Sequence, residues 1–189
     1  MIFPLFRRSA RSDTISSLYG TIVAQARLTS FYRAYAVSDT INGRFDLLVL
    51  HLSLVLDRLE EAGLRELGQG LFDRFCQDMD HNLREMGVGD LSVPKEMQRI
   101  GEAFYGRAQA YRVALTADDQ EALAEAVVRN IYDRAPGSRA VAGRLAAYMR
   151  EAVRDLKEQP PGSLRAGQLR LPDPLAVPLV EDKRDGPEG

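Results

Sequence analysis

Leu64-Arg-Glu-Leu-Gly-Gln-Gly-Leu-Phe-Asp-Arg-Phe-Cys-Gln-Asp-Met-Asp-His-Asn-Leu-Arg-Glu-Met86 is the stretch that decides the fold. Leu64, Leu67, Leu71, Phe75, Met79, Leu83 and Met86 recur at steps of three and four, while Asp73, Asp80 and Arg84 fall on the far side of the wheel. That is the period of an amphipathic α-helix over 64–86, not the two-residue alternation of a strand. Gly87-Val-Gly-Asp90 follows, and a glycine at positive φ closes a helix where a side chain would be strained. Gly87 and Gly89 are both read as shape residues. Ser92, with Pro94 in the first turn, then opens a helix over 93–115. It carries Met97, Ile100, Phe104, Ala108, Tyr111 and Leu115 on one side, with Gly101 and Gly106 reducing bulk for close packing. Residues 71–107 therefore read as a tight helical hairpin.

The same period continues outward. Upstream, 42–62 puts Asp46, Ser53, Asp57 and Glu60 on one narrow polar stripe and leucines nearly everywhere else, the pattern of a central core helix. A helix over 13–27, capped by Ser12 or Asp13, carries Ile15, Leu18, Ile22 and Ala26, and a short aromatic turn with Phe31, Tyr32 and Tyr35 follows it. Downstream, Thr116 caps a helix with Leu123, Val127 and Ile131. Ala135-Pro-Gly137 breaks it, and Ser138 opens another with Val141, Leu145, Tyr148, Ala152 and Leu156. Six of the nine prolines lie beyond Gln159, which predicts an extended or disordered tail over 159–189. The expected architecture is all-α: an N-terminal basic and apolar segment (1–12), one compact helical domain of six or seven helices (13–158), and the proline-rich tail.

Composition narrows the function classes. Hydrophobic residues at 45% and charged residues at 28% are those of a folded globular chain. With 25 basic and 27 acidic residues the net charge is −2, so no basic field recruits nucleic acid. The single cysteine, Cys76, excludes an intrachain disulfide framework and a Cys-rich metal site, which fits a reducing, cytoplasmic setting. Leu47–Leu56 is apolar but shorter than the ~20 residues of a bilayer span. At the N-terminus, Ile2, Phe3, Leu5 and Phe6 precede Arg7, Arg8 and Arg11, the reverse of a signal peptide's order. This segment, short for an amphipathic helix, carries an expectation of peripheral contact at the inner face of a bacterial cytoplasmic membrane.

No catalytic constellation emerges. His51 lies among Leu47, Leu54 and Val55 with no carboxylate on its face, and reads as a hydrogen-bonded structural histidine. Cys76 reads as an inert packing thiol. Asp78-Met-Asp80-His-Asn82 begins like a calcium loop, but Leu83 stands at the turn and Gly89 at the position of the final glutamate. Walker, Gly-x-Gly-x-x-Gly, Gly-x-Ser-x-Gly and His-Glu-x-x-His sequences are absent. Asp73, Asp78 and Asp80 with Asp118 and Asp119 leave a magnesium–diphosphate enzyme as a distant alternative, and a generic helical adapter as a nearer one. No cofactor or metal is expected. Segment 57–90 holds nine acidic and four basic residues, an asymmetry able to steer a basic partner.

The string Leu71-Phe-Asp-Arg-Phe-Cys-Gln-Asp-Met-Asp-His-Asn-Leu-Arg-Glu-Met-Gly-Val-Gly-Asp-Leu-Ser-Val-Pro-Lys95, continued by Glu102-Ala-Phe-Tyr-Gly-Arg107, resembles the ubiquinol–cytochrome c chaperone family. Leu18–Arg27 and Asp39–Leu59 resemble the family's opening helices in the right order. The resemblance implies an assembly factor for the cytochrome bc1 complex, with cytochrome b or an early intermediate as partner, sometimes with a small accessory protein, and no catalytic residue. The lack of an Arg- and Ser-rich presequence points to a bacterial member and away from the mitochondrial ribosome-bound arrangement. Polar candidates for partner contact on the hairpin are Asp78, Asp80, Arg84, Glu85, Asp90, Lys95 and Arg107, with Phe104 and Tyr105 as aromatic anchors; Gly87, Gly89, Pro94 and His51 are assigned structural roles.

Overall fold

Every residue from Asp46 to Val55 is buried on helix α3 (Ile41–Glu61). A helix apolar nearly all round has to be covered all round. In the computed structural model, which describes residues 3–177 and the side chains of residues 11–177, five helices supply that cover. They are α1 (Phe3–Ala26), α4 (Arg65–Glu85), α5 (Val93–Thr116), α6 (Gln120–Ile131) and α7 (Arg139–Glu158). The short helices α2 (Thr29–Arg33) and α8 (Pro161–Arg165) complete the set. All regular elements among the described residues are helices, the all-α architecture read from the period. Leu47, Leu50, Leu52 and Leu59 are 0% exposed, and each such side chain contributes about 1.5–3 kcal/mol by leaving water.

An aromatic cluster fills the space where α2, α3 and α7 meet. Phe31 is 0% exposed, with ring centroids 5.5 Å from Tyr35, 5.2 Å from His51 and 5.0 Å from Tyr148. His51 is fully buried, its Nδ1 2.7 Å from the Leu47 carbonyl and its Nε2 2.8 Å from the Tyr148 hydroxyl. A carbonyl only accepts, so Nδ1 carries the proton and Nε2 accepts from Tyr148. The Gln25 amide donates to the Tyr148 hydroxyl at 3.0 Å, closing a chain in which each member has a partner. Burial holds the His51 pKa down to about 4, so the ring is neutral in this core.

Several sequence expectations differ from the structure. Ser12 and Asp13 do not cap α1, because the helix already runs from Phe3. Ile2, Phe3, Leu5 and Phe6, singled out for membrane contact, lie outside the described side chains. Thr116 ends α5 instead of capping α6; Asp119 caps it, its carboxylate accepting the Ala122 N–H at 2.9 Å. The polar stripe of α3 turns partly inward: Asp46 is buried beside Arg107 of α5 and Ser53 with its hydroxyl donating to the Leu50 carbonyl, while Glu60 stays exposed. Gly101 and Gly106 have open space around them, so neither permits a close approach. Gly70 does: a Cβ there would meet the Ile15 Cδ1 of α1 at 2.5 Å.

The largest difference concerns the expected tail from 159. Residues through 177 follow the body and are tied to it. Leu164 and Leu169 are buried, and the Gln159 side chain bonds both the N–H and the carbonyl of Arg170 at 2.8 and 2.9 Å. The Gln25 amide donates to the Pro172 carbonyl at 2.8 Å and the Tyr35 hydroxyl to the Pro174 carbonyl at 2.5 Å. Proline ends helices but keeps its carbonyl as an acceptor, so a proline-rich segment can still be strapped down. The remainder of the proposed tail, 178–189, lies outside the described residues.

Candidate functional site

The α4 stripe is buried at its start and uncovered at its end. Leu71 and Phe75 are 0% exposed, and Phe104 of α5, 3% exposed, stacks 5.1 Å from Phe72 and 5.6 Å from Phe75. Further along the same face Met79 is half-buried, Leu83 is still buried, and Met86 is 57% exposed. The reason is positional: here α1 has reached its end at Ala26 and α3 is only beginning at Ile41, itself 72% exposed. An open groove of about 630 Å³ results. Its walls are Val23 of α1 and Arg27 just past it, Ile41 and Phe45 of α3, Met79 of α4 and Met86 just past it, and Arg99 and Ile100 of α5.

The floor of the groove is apolar and its rim is polar: Asn42 and Asn82 line it, and Arg27 has no ion pair among the described residues. Arg44 pairs with Asp39 at 2.8 Å, Arg99 with Glu96 at 2.8 Å, and Glu85 with His81 at 3.1 Å. Asp78 accepts from the Tyr19 hydroxyl at 2.8 Å, and burial together with that carboxylate pushes the Tyr19 pKa up. The hairpin turn that ends the groove is built by Gly87 at φ +82, past the end of α4. Gly89 is not at positive φ, contrary to its sequence reading as a second such position. Its carbonyl instead accepts the N–H groups of Ser92 and Val93 at 2.8 and 3.2 Å. Pro94 sits in the first turn of α5.

The nine partner candidates do not share one surface. Asp78 and Glu85 edge the groove. Arg84 bridges Asp80, at 2.8 Å, and Asp90 at the hairpin tip, where Lys95 is exposed. Tyr105 is 63% exposed and stands 5.6 Å from Phe72, in a second depression away from the groove that also holds Gln69 and Gln109. Phe104 belongs to the core and is removed from any contact surface by Phe72 and Phe75. Arg107 is removed as well: it reaches Asp46 at 2.9 Å and lies 5.7 Å from the Phe45 ring centroid. That pair is costly. Burial raises the Asp46 pKa to about 6 despite the guanidinium, and Asp46 Oδ1 and Arg107 Nε lack well-directed partners.

The groove's other wall, from Val23 to Leu48, escaped sequence reasoning, which looked for the site inside 71–107. The available signal was a lone apolar residue in a polar first turn, Ile41 directly after the Thr40 cap, whose Oγ1 accepts the Gly43 N–H at 3.1 Å.

Neither His51 nor Cys76 is presented to this groove. His51 is enclosed in the core, and burial, then Asp73, raises the Cys76 thiol pKa. The acids of the magnesium alternative are dispersed: Asp80 pairs with Arg84, Asp118 with Arg150, and Asp119 caps α6. Among the described residues no group of three His, Cys, Asp or Glu is arranged to hold a metal ion.

Known proteins resemble this chain in sequence and fold. The sequence profile described as ubiquinol-cytochrome C chaperone matches residues 33–171. The crystal structure of the Cbp3 homolog from Brucella abortus aligns with a TM-score of 0.85 at 40% identity, covering 94% of this chain and 100% of that one. Ubiquinol-cytochrome-c reductase complex assembly factor 1 of Xenopus laevis is 23% identical over 141 residues, covering 74% of this chain and 70% of that protein.

Proposed function

The chain belongs to the ubiquinol–cytochrome c chaperone family, and from that premise we propose that it binds cytochrome b, or an early intermediate containing it, during biogenesis of the ubiquinol–cytochrome c reductase (bc1) complex. The family is one of chaperones and assembly factors, not of enzymes. The observation that carries the reading is the uncovered apolar end of the α4–α5 hairpin, with Met86 57% and Leu91 99% exposed. Exposed apolar surface grouped in a concavity is the mark of a contact site, and methionine adapts to varied apolar shapes. No helix among the described residues is long and apolar enough to cross a bilayer. Deleting the gene is expected to lower assembled bc1 complex and cytochrome b, and the tagged protein is expected to co-isolate with cytochrome b. Normal bc1 levels in the deletion strain would overturn the proposal.

A further inference from the structure

From Pro160 to Val177 the chain lies over the body as a strap, and its two halves are held differently. The first is seated by its side chains and its shape. Leu164 is buried, and Gly167, at φ +76, comes so close to α1 that a Cβ there would meet the Ser17 Cβ at 3.2 Å. The second half, from 168, is read through its backbone. Its carbonyls at Arg170, Pro172 and Pro174 accept from the Gln159 amide at 2.9 Å, the Gln25 amide at 2.8 Å and the Tyr35 hydroxyl at 2.5 Å. Bonds at every second residue are the pattern of an extended chain, and the residue before each proline is held to extended conformations. In such a chain the N–H and C=O of one residue face the same side. At Arg170 the N–H meets the Gln159 Oε1 at 2.8 Å. At 172 and 174 the body supplies a donor and, among the described residues, no acceptor; there the chain carries proline, which has no N–H to leave unpaired.

The three donors are oriented by the body as well as by the strap. Gln159 is 3% exposed and its amide also donates to the Asp155 carbonyl at 3.0 Å, while that of Gln25 donates to the Tyr148 hydroxyl at 3.0 Å. Tyr35 is 1% exposed, its ring packed by the Arg144 guanidinium and its carbonyl bonded by the Tyr132 hydroxyl at 2.6 Å. Against this fixed row, residues 168–177 bury little: Leu169 and Pro174 are buried, and Leu171, Pro172 and Val177 only half-buried. Hydrogen bonds that water can replace contribute little net, and chain entropy opposes ordering a segment without regular structure, so this half is the part of the strap that opens most easily.

We infer that the crease lined by Gln25, Tyr35 and Gln159 is a recognition site for an extended segment of the pattern x-x-Pro-x-Pro, held in cis by residues 168–177 as a tethered ligand hinged at Gly167, and open to such a segment of another chain when they lift. None of the three residues lines the groove between α1, α3, α4 and α5, so this site is separate from the client surface proposed above.

The test uses the full chain and a fluorescent synthetic peptide of residues 168–177, with binding read by anisotropy. In the parent chain the tethered segment competes with the peptide at high effective concentration. Pro172→Ala/Pro174→Ala in the full chain weakens that competitor and leaves the donors in place. The peptide is expected to bind this double variant at least about tenfold more tightly than it binds the parent. A peptide carrying both Pro→Ala changes should bind the double variant about tenfold more weakly than the unchanged peptide, and one with N-methylalanine at 172 and 174, which again lacks the N–H groups, should regain most of that loss. Hydrogen exchange of the parent supplies the second measurement: the Arg170 amide should exchange at least about a hundredfold faster than that of Leu50 in α3. No peptide binding to the double variant, equal binding of the proline and alanine peptides, or no recovery with N-methylalanine overturns the inference. So does a double variant that fails to fold by circular dichroism, or an Arg170 amide that exchanges only with the core, since either makes the segment a permanent part of the body.

Discussion

The contact of α3 with α7 and the tip of the α4–α5 hairpin are both apolar, yet one is closed and the other open. At the first, Phe31, Tyr35 and Tyr148 enclose His51, and Gln25, Tyr148, His51 and Leu47 hand hydrogen bonds along a chain with no end left over. At the second, the α4 stripe runs past the ends of α1 and α3, and Ile41, Met86 and Leu91 stay in contact with water. The same helical period built both. Whether a stripe becomes core or contact surface depends on how far neighbouring helices extend beside it. The open end withholds stabilisation that a longer α1 or an earlier α3 would have supplied. Such a retained apolar concavity is what a chaperone for membrane helices requires.

The contrast can be broken at several points. The largest expected effect is at the closed contact: Phe31→Ala should cost about 3–5 kcal/mol of stability, whereas Ile41→Ser at the open end should change it by less than about 0.5 kcal/mol, both read from urea midpoints at constant slope. A comparable loss at Ile41 would mean the groove is filled from within.

Acid distinguishes the buried groups. His51 has a folded pKa of about 4 against an ordinary 6.5, so its contribution is present above pH 6.5 and lost as pH falls toward 4, about 3 kcal/mol in full. Asp46 works with the opposite sign. Its folded pKa of about 6 exceeds the ordinary 3.8, so its contribution is full below pH 3.8 and lost as pH rises through 6. The two slopes oppose each other between pH 4 and 6. His51→Gln should therefore retain more of its stability on acidification than the parent, and Asp46→Asn should lose more; parallel curves for all three proteins would refute the assignment.

Smaller changes sharpen the picture. Arg107→Ala leaves Asp46 buried without its cation and should cost about 2 kcal/mol at pH 7, with Asp46→Leu added to Arg107→Ala recovering part of it. Thermal melts that show no recovery would place the cost in lost packing of Arg107 on Phe45. At the hairpin turn, Gly87→Ala should cost about 1 kcal/mol because φ is +82 there, and Gly89→Ala less than about 0.5 kcal/mol because it is not at positive φ. Equal costs would contradict the turn geometry.

Helix period, turn glycines and the Pro94 start made the hairpin and the central role of α3 legible in the sequence. What period cannot supply is the neighbour. The wheel gave α3 a polar stripe, but only the fold brings Arg107 to Asp46 and turns that stripe partly inward. Composition marked 159–189 as unable to sustain helix, yet the short helix α8 forms at Pro161–Arg165, and the partners that hold 159–177 down, Gln25 and Tyr35, lie more than a hundred residues away. The candidate site was only partly legible for the same reason. Its residues were sought within 71–107, where Phe104 and Arg107 face inward, while half the groove comes from α1 and the start of α3. The family resemblance carried functional information that local pattern lacked.

The central claim is that the open apolar groove is where this chaperone works. The most direct measurement is the level of assembled bc1 complex in the deletion strain, resolved on native gels, after complementation with the parent chain or with the double variant Ile41→Glu/Met86→Glu at matched abundance. The account predicts that the parent restores the complex and that the folded double variant does not. Full restoration by the double variant would contradict it.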